Sequence, residues 1–194
     1  MISDTFRAFI AIDLPESVKA FLSETQEALK LYGLRVKWVR LQNIHLTLKF
    51  LGDTASDDID KITAAMKLAA KNCPVVSLTA KGIGVFPNLS RPRVIWAGLN
   101  GQLETLAKLQ QTLDAHLADS GFARDTRAFK SHLTLGRVKG KIASDRMKAA
   151  IDKLKKVESE PFEASRVILF KSELRPTGAV YTRMQAVAFQ GQQP

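Results

Sequence analysis

The sequence His-Leu-Thr-Leu occurs twice in this chain, at positions 45–48 and 132–135. Successive side chains of a β-strand point to opposite faces, so the histidine and the threonine share one face and the two leucines share the other. On a helix, positions i and i+2 diverge and this pairing would be lost. The repeated sequence therefore predicts two strands that bury leucines in a core and present an imidazole beside a hydroxyl to a groove.

The two copies divide the chain into similar halves. The chain has 194 residues and 3 histidines, of which two open the repeated sequence. Each copy follows a predicted helix and opens a predicted strand, with no Pro/Gly/Ser-rich linker between the halves. This arrangement predicts a single bilobal domain over residues 1–194, with two lobes related by a pseudo-twofold axis and facing one groove.

Hydrophobic periodicity and turn residues predict the other elements. Strands are predicted at 7–12, 36–39, 44–51, 75–84, 93–99, 131–138, 162–171 and 179–189. Helices are predicted from the segment 13–17 to about 32, from 56 to about 70, between 100 and 120, and from about 144 to 157. A turn at 175–178 links the last two strands, and 190–194 forms a frayed tail. This order predicts an α+β fold with mainly antiparallel sheets flanked by helices.

The charge balance favours a polyanionic partner. The chain has 29 Lys+Arg against 19 Asp+Glu, for a net charge of +10 and a pI of about 9.9. Such a balance suits RNA or DNA, although a soluble basic protein without such a partner is the alternative. The single cysteine, Cys73, excludes an intrachain disulfide and fits a reducing cytoplasm. The N-terminal residues predict no signal peptide, and no apolar run is long enough to span a membrane.

Two histidines in one groove point to acid–base chemistry. Histidine has an unperturbed pKa of about 6.5, so one imidazole can accept a proton while the other donates one. In-line displacement at phosphorus needs such a pair, one on each side of the phosphate. Thr47 and Thr134 can donate hydrogen bonds to the non-bridging oxygens. A cyclic phosphodiester is a natural substrate, because no metal ion is needed to generate the nucleophile.

A metal site is the alternative for the histidines. Catalytic zinc usually takes about three protein ligands, and the only other imidazole is His116, beside two leucines on the third predicted helix. The chain has no HExxH-type spacing. The sequence therefore predicts no metal and no cofactor.

Together, these motifs resemble the 2H phosphoesterases, and within them the RNA 2′,3′-cyclic phosphodiesterases once called 2′-5′ RNA ligases. The segments that carry the resemblance are 7–15, 45–52, 93–98, 132–137 and 172–181. The resemblance implies a metal-independent enzyme that opens a terminal 2′,3′-cyclic phosphate of RNA to a 2′-phosphate. One departure is Ser131, where the family often has proline.

The resemblance also implies residue roles. His45 would be the general acid and His132 the general base, Thr47 and Thr134 would hold the phosphate, and Arg137 would add positive charge. The substrate would be RNA with a cyclic phosphate end, such as a tRNA fragment, or a small cyclic nucleotide. A 2′-5′ RNA ligase and a non-catalytic basic RNA-binding module are the alternatives.

Further substrate contacts are predicted around these motifs. Strand alternation places Lys49 on the groove face with His45 and Thr47, and turns Phe50 toward the core. Phe9 and Tyr181 are candidates to stack on a base, with core packing as the alternative for both. The other candidates are basic residues for a phosphate track, each of which could also be a solvated surface charge: Arg7, Arg91, Arg93 and Lys130. Trp38 and Trp96 are predicted to lie in the core.

Overall fold

The computed structural model describes residues 4–176 and 178–192, in which strands and helices are mixed along the chain. The strands are β1 (Thr5–Ile12), β2 (Val36–Trp38), β3 (Leu46–Ala55), β4 (Val76–Phe86), β5 (Val94–Gly101), β6 (Leu133–Val138), β7 (Phe162–Ala164), β8 (Arg166–Arg175) and β9 (Gly178–Ala188). The α-helices are α1 (Glu16–Lys30), α2 (Ile59–Ala70), α3 (Leu103–Asp119) and α4 (Ser144–Leu154). Residues 1–3, 177, 193 and 194, which include parts of the predicted turn and tail, lie outside this description.

All strand pairs are antiparallel and belong to one sheet with the order β7-β4-β5-β6-β3-β1-β8-β9, while β2 pairs with β6. The strands of the repeated sequence, β3 and β6, are neighbours at its centre. They are paired at only one position, Leu46 with Leu133. The predicted α+β class with antiparallel strands and flanking helices is confirmed, although the strands form one sheet.

The strands of the two chain halves are exchanged across the sheet. On one side of the centre, β3 and β1 are followed by β8 and β9 from the second half of the chain. On the other side, β6 and β5 are followed by β4 from the first half and then by the short β7. Each side of the sheet is therefore completed by the opposite half of the chain.

The main core lies on the face of the sheet that the leucines of the repeated sequence share. Leu46, Leu133 and Leu135 are fully buried there, and Leu48 is almost as buried. They belong to the same apolar cluster as the buried residues of all four α-helices. Burying a leucine side chain stabilises the fold by roughly 1.5–3 kcal/mol. This burial fixes which face of β3 and β6 carries the histidines and threonines.

Several boundaries differ from the sequence prediction. Strand β3 continues to Ala55 instead of ending at Leu51, because Gly52 adopts a left-handed φ of 75° beside a bulge within the strand and not in a turn. The segment 162–171 is split into β7 and β8 at Ser165, and α4 ends before the predicted position. Helix α2 begins at Ile59 and not at position 56. Ser56 lies in a 3₁₀ turn, where its hydroxyl donates to the carbonyl oxygen of Asp4 at 2.9 Å.

Candidate active site

A groove of about 570 Å³ lies on the sheet face opposite the main core and crosses the junction of β3 and β6. It is lined by residues of both motifs and by β1, β8 and β9. The polar and charged groove residues are Arg7, Lys37, Arg40, Asn43, His45, Thr47, His132, Thr134, Arg137, Ser172 and Tyr181. The two copies of the repeated sequence thus meet in one cavity.

His45 is held from two directions. It directly precedes β3, and its Nδ1 lies 2.8 Å from the carbonyl oxygen of Asn43. Because a carbonyl can only accept, Nδ1 carries the hydrogen and Nε2 is left for the groove. The ring stacks on Phe9 with centroids 4.6 Å apart, and the Tyr181 ring lies nearly perpendicular to it with centroids 5.3 Å apart.

The surroundings of His45 favour a neutral ring in the free protein. The pKa of His45 is lowered to about 4, mainly by burial; the hydrogen bond to the Asn43 carbonyl opposes this shift, and the electrostatic interaction with His132 adds to it. Burial acts in this direction because it penalises the charged imidazolium. The influence of His132 indicates that the two imidazoles interact across the groove.

His132 repeats this arrangement on the other side. It directly precedes β6, and its Nδ1 lies 2.7 Å from the carbonyl oxygen of Lys130. As at His45, the accepting carbonyl belongs to the residue two positions earlier. Aromatic edges contact the ring, with Phe86 at 5.0 Å and Trp96 at 6.4 Å between centroids. Both histidines therefore present Nε2 to the groove through the same local geometry.

The other motif residues also line the groove. Thr47 and Thr134 are half-buried beside the histidines, and Arg137 is exposed on β6. Burial raises the pKa of Tyr181, and the positive charges of Arg137 and Arg7 pull it the other way. These two guanidinium groups therefore act on the part of the groove that contains the Tyr181 hydroxyl. The site combines two imidazoles, two hydroxyls and a concentration of positive charge, which suits an anionic phosphate.

The prediction for Lys49 and Phe50 is wrong. The pairing of β1 with β3 skips Leu48 and Leu51, so β3 contains bulges. A bulge adds a residue and reverses the alternation that follows it. Lys49 is therefore buried on the core side, with only 3% of it exposed, whereas Phe50 is 69% exposed and lines the groove.

The remaining candidates are distributed around the groove. Phe9 lines the groove but is only 3% exposed, because its ring stacks on His45 and Phe170, and Tyr181 forms a wall of the groove. Lys130 contributes its carbonyl to His132, and its side chain does not line the groove. Arg7 lines the groove, whereas Arg91 and Arg93 are exposed outside it.

Neither tryptophan is fully buried in the main core. Trp38 packs against that core and also lines the groove, whereas half-buried Trp96 lies against Gly84 beside His132. A Cβ on Gly84 would lie within 2.2 Å of the Trp96 ring, so this glycine leaves room for the indole.

Asn43 and Phe86 are site residues that the sequence analysis missed. Asn43 accepts from His45 through its carbonyl and donates from its side chain to the carbonyl of Ala179 at 2.8 Å, which ties the motif to the β8–β9 hairpin. Phe86 ends β4 and contacts His132. The position of Asn43 two residues before a histidine of the repeated sequence was the only signal for either residue.

His116 lies on α3 outside the groove, with its Nδ1 4.0 Å from Asp119. Within residues 4–176 and 178–192, no three His, Cys, Asp or Glu side chains are grouped as metal ligands. The same part of the chain contains no helix that is both long and apolar enough to cross a membrane.

The fold and the groove define a protein with a duplicated histidine–threonine site for an anionic ligand. Comparison with known families matches the LigT-like phosphoesterase model twice, at residues 12–96 and 98–181, with one copy of the repeated sequence in each match. The chain belongs to this phosphoesterase family, within the 2H superfamily.

Curated relatives match over most of their length. The chain is 37% identical to an RNA 2′,3′-cyclic phosphodiesterase of Methanothermobacter thermautotrophicus, covering 92% of this chain and 96% of the relative. It is 35% identical to the enzyme of that name from Thermotoga maritima, covering 95% and 96%. The resemblance inferred from the motifs is thus confirmed at the family level.

Solved structures share the fold. A Thermus thermophilus protein superposes with a TM-score of 0.79 at 26% identity, covering 96% of this chain and all of that one. LigT of Escherichia coli, solved with 3′-AMP, has a TM-score of 0.73 at 23% identity, covering 96% and 99%. These structures confirm the antiparallel architecture with flanking helices.

Proposed function

We propose that this chain hydrolyses the 2′,3′-cyclic phosphodiester at the end of an RNA to a 2′-phosphomonoester, without a metal ion in the reaction. The observation that carries this proposal is the pair of imidazoles in one groove, each with Nδ1 bonded to a backbone carbonyl and Nε2 left for the substrate. The relatives at 35–37% identity are named for this activity. The net charge of +10 also suits an RNA substrate.

The proposed reaction divides two proton transfers between the histidines. Nε2 of His132 takes a proton from water as the water oxygen attacks phosphorus. The bond from phosphorus to O3′ breaks on the opposite side, and Nε2 of His45 gives its proton to O3′. Thr47, Thr134 and Arg137 donate hydrogen bonds to the non-bridging oxygens, where negative charge increases in the transition state.

This assignment requires His45 to gain a proton when substrate binds. In the free protein, burial holds the pKa of His45 at about 4, so the ring is neutral near pH 7. A bound phosphate anion stabilises the imidazolium and raises that pKa. In the opposite assignment, neutral His45 accepts the proton from water and His132 donates to the leaving oxygen.

The groove also suits a nucleoside attached to the phosphate. Phe50 is a largely exposed aromatic ring that lines the groove, and a nucleobase can stack on such a ring. Arg7, Lys37 and Arg40 line the same groove and provide positive charge for RNA phosphates. A substrate with a base and at least one further phosphate would use more of this surface than a bare cyclic phosphate.

The test is hydrolysis of a short RNA ending in a 2′,3′-cyclic phosphate, in excess EDTA. We expect conversion to a 2′-phosphate, and a loss of at least about 10²-fold in kcat for either His45→Ala or His132→Ala. Turnover that is unaffected by both substitutions would overturn the proposal. A second RNA with a 5′-hydroxyl end, added to the same reaction, detects 2′-5′ joining. Salt-dependent RNA binding without any turnover would indicate a non-catalytic binding module.

A further inference from the structure

Lys49 lies behind the groove in a buried network of polar groups. Its ammonium group is 2.5 Å from Oδ1 of Asp114, 2.7 Å from the carbonyl oxygen of Ala123 and 3.1 Å from Oδ1 of Asp125. The first two contacts are hydrogen bonds and the third is an ion pair, and together they compensate the buried charge. Because only 3% of Lys49 is exposed, water cannot replace a lost partner.

The network joins the two copies of the repeated sequence. Lys49 is two residues after Thr47 and lies between the bulges of β3. Its partners Ala123 and Asp125 belong to the loop between α3 and β6, which continues to the Lys130 carbonyl that holds His132. A charged side chain thus connects the strand of the first motif to the loop that enters the second.

Three further hydrogen bonds fix the same connection. The side-chain amide of Gln110 on α3 lies 3.4 Å both from the Leu48 carbonyl at the bulge and from Oδ2 of Asp125. The backbone N–H of Asp125 donates to Oδ1 of Asp114 at 3.2 Å. The loop therefore has few alternative positions while Lys49 is in place.

This connection matters because β3 and β6 are otherwise weakly joined. Their ladder has a single pair, Leu46 with Leu133, next to the two histidines. A one-pair junction lets the strands rotate relative to each other, and such a rotation would change the separation of the imidazoles. From this geometry we propose that Lys49 is a positioning residue that sets the distance between His45 and His132 through the loop at 120–130. The expected change in kcat rests on the proposed function, whereas the effect of Lys49 on the positions of the two imidazoles does not.

The test compares Lys49→Met with Lys81→Met. Methionine keeps most of the apolar volume of lysine but removes the charge. Lys81 forms a 2.9 Å ion pair with Glu158 away from the groove, so its variant controls for the loss of a lysine ion pair. For Lys49→Met we expect kcat on the cyclic-phosphate RNA to fall about 10–100-fold, with a smaller change in KM, because a misplacement of about 1 Å has this effect on catalysis. Lys81→Met is expected to keep the wild-type values.

A second readout does not depend on turnover. The imidazole NMR signals of His45 and His132, recorded during titration with inorganic phosphate, report the two rings directly. We expect both rings to respond to phosphate in the wild type and in Lys49→Met, with both signals displaced in the variant before phosphate is added. If the wild type does not hydrolyse the cyclic-phosphate RNA, the proposed function is wrong, but the NMR comparison still tests the positioning role of Lys49.

Two outcomes would overturn the positioning role. One is a folded Lys49→Met protein with kcat within twofold of wild type and unshifted imidazole signals. If Lys49→Met does not fold, the Asp125→Asn variant tests the positioning role instead. Asp125 is 41% exposed and its loss leaves Lys49 paired with Asp114, so the variant is expected to fold and to lose about 3–10-fold in kcat. Wild-type kcat and unshifted imidazole signals in Asp125→Asn would also overturn the role.

Discussion

His45 is the residue whose surroundings determine most about the site. An aromatic ring on one face, a tyrosine edge beside it and a carbonyl on Nδ1 fix its orientation, and the same burial disfavours its charged form. His132 has the same carbonyl contact and edge-to-face contacts with Phe86 and Trp96, but no ring of the described residues stacks on it. Two copies of one sequence are therefore placed in different environments, which is a physical basis for different roles in proton transfer.

The lowered pKa of His45 predicts a pH-dependent contribution to stability. The unfolded value is near 6.5 and the folded value is about 4, so the neutral ring stabilises the fold above pH 6.5. This contribution is lost as the pH falls from about 6.5 to 4, because the unfolded chain takes up the proton first. Between pH 7.5 and 5, we expect the free energy of unfolding to fall by about 2 kcal/mol more in wild type than in His45→Gln. Urea unfolding of both proteins at the two pH values measures this difference. An equal fall in the free energy of unfolding in wild type and His45→Gln would contradict the prediction.

The acid and base can be distinguished with a modified leaving group. In a cyclic phosphate with sulfur at the bridging 3′ position, the leaving thiolate has a conjugate-acid pKa near 8.5 and needs little help from an acid. If His45 is the acid, His45→Ala is expected to lose less than about tenfold on this substrate but about 10²-fold or more on the oxygen substrate. His132→Ala is expected to lose activity on both. If His132→Ala is instead the variant that loses little activity on the sulfur substrate, His132 is the acid and His45 is the base.

At the scale of elements, the bulges of β3 show where sequence reasoning worked and where it failed. Alternation placed His45 and Thr47 on the groove face, because no bulge separates them. The next residues were assigned to the wrong faces, because the bulges reverse the alternation without a distinctive residue at Leu48. In the second motif Arg137 lies in the groove as predicted, three residues after Thr134. The contacts of Phe86 and Asn43 depend on strands distant in sequence, which no local pattern reveals.

The exposed position of Phe50 predicts a binding role without a role in stability. Because the ring is 69% exposed, Phe50→Ala is expected to change the free energy of unfolding by less than about 0.5 kcal/mol. Loss of a stacking surface worth about 1–3 kcal/mol should raise KM for the RNA substrate by about 10-fold or more. Leu31→Ala, at an 87% exposed site on the turn after α1, is the control and should change neither quantity. An unchanged KM in Phe50→Ala would show that no base stacks there.

At the scale of the whole molecule, the exchanged strands make the two chain halves interdependent. β8 of the second half lies between β1 and β9, and β4 of the first half lies between β7 and β5, so each half supplies an inner strand to the side of the sheet that carries the other half's motif. Loss of one half would leave unpaired strand edges and exposed apolar residues such as Ile10 and Leu169, which are both fully buried. The fold was predictable as two similar halves, but this exchange was not, because local patterns do not specify which strands pair.

A chain cut between β5 and α3 tests this dependence. We expect fragments 1–101 and 102–194, produced separately, to lack cooperative unfolding and to give few protected amides in hydrogen exchange. Mixed during refolding, they are expected to recover the sheet and cyclic phosphodiesterase turnover together. A fragment that unfolds cooperatively on its own would contradict the dependence.

The exchange of strands also bears on how such a molecule could have arisen. A half-length ancestor with one copy of the repeated sequence could complete its sheet only by exchanging strands with an identical subunit. The phosphate would then lie on a true symmetry axis, between two imidazoles that could not differ. Fusion of the two genes would release the histidines from this equivalence and let aromatic neighbours accumulate around one of them. The asymmetry that separates a proton donor from an acceptor is, in this view, a product of duplication.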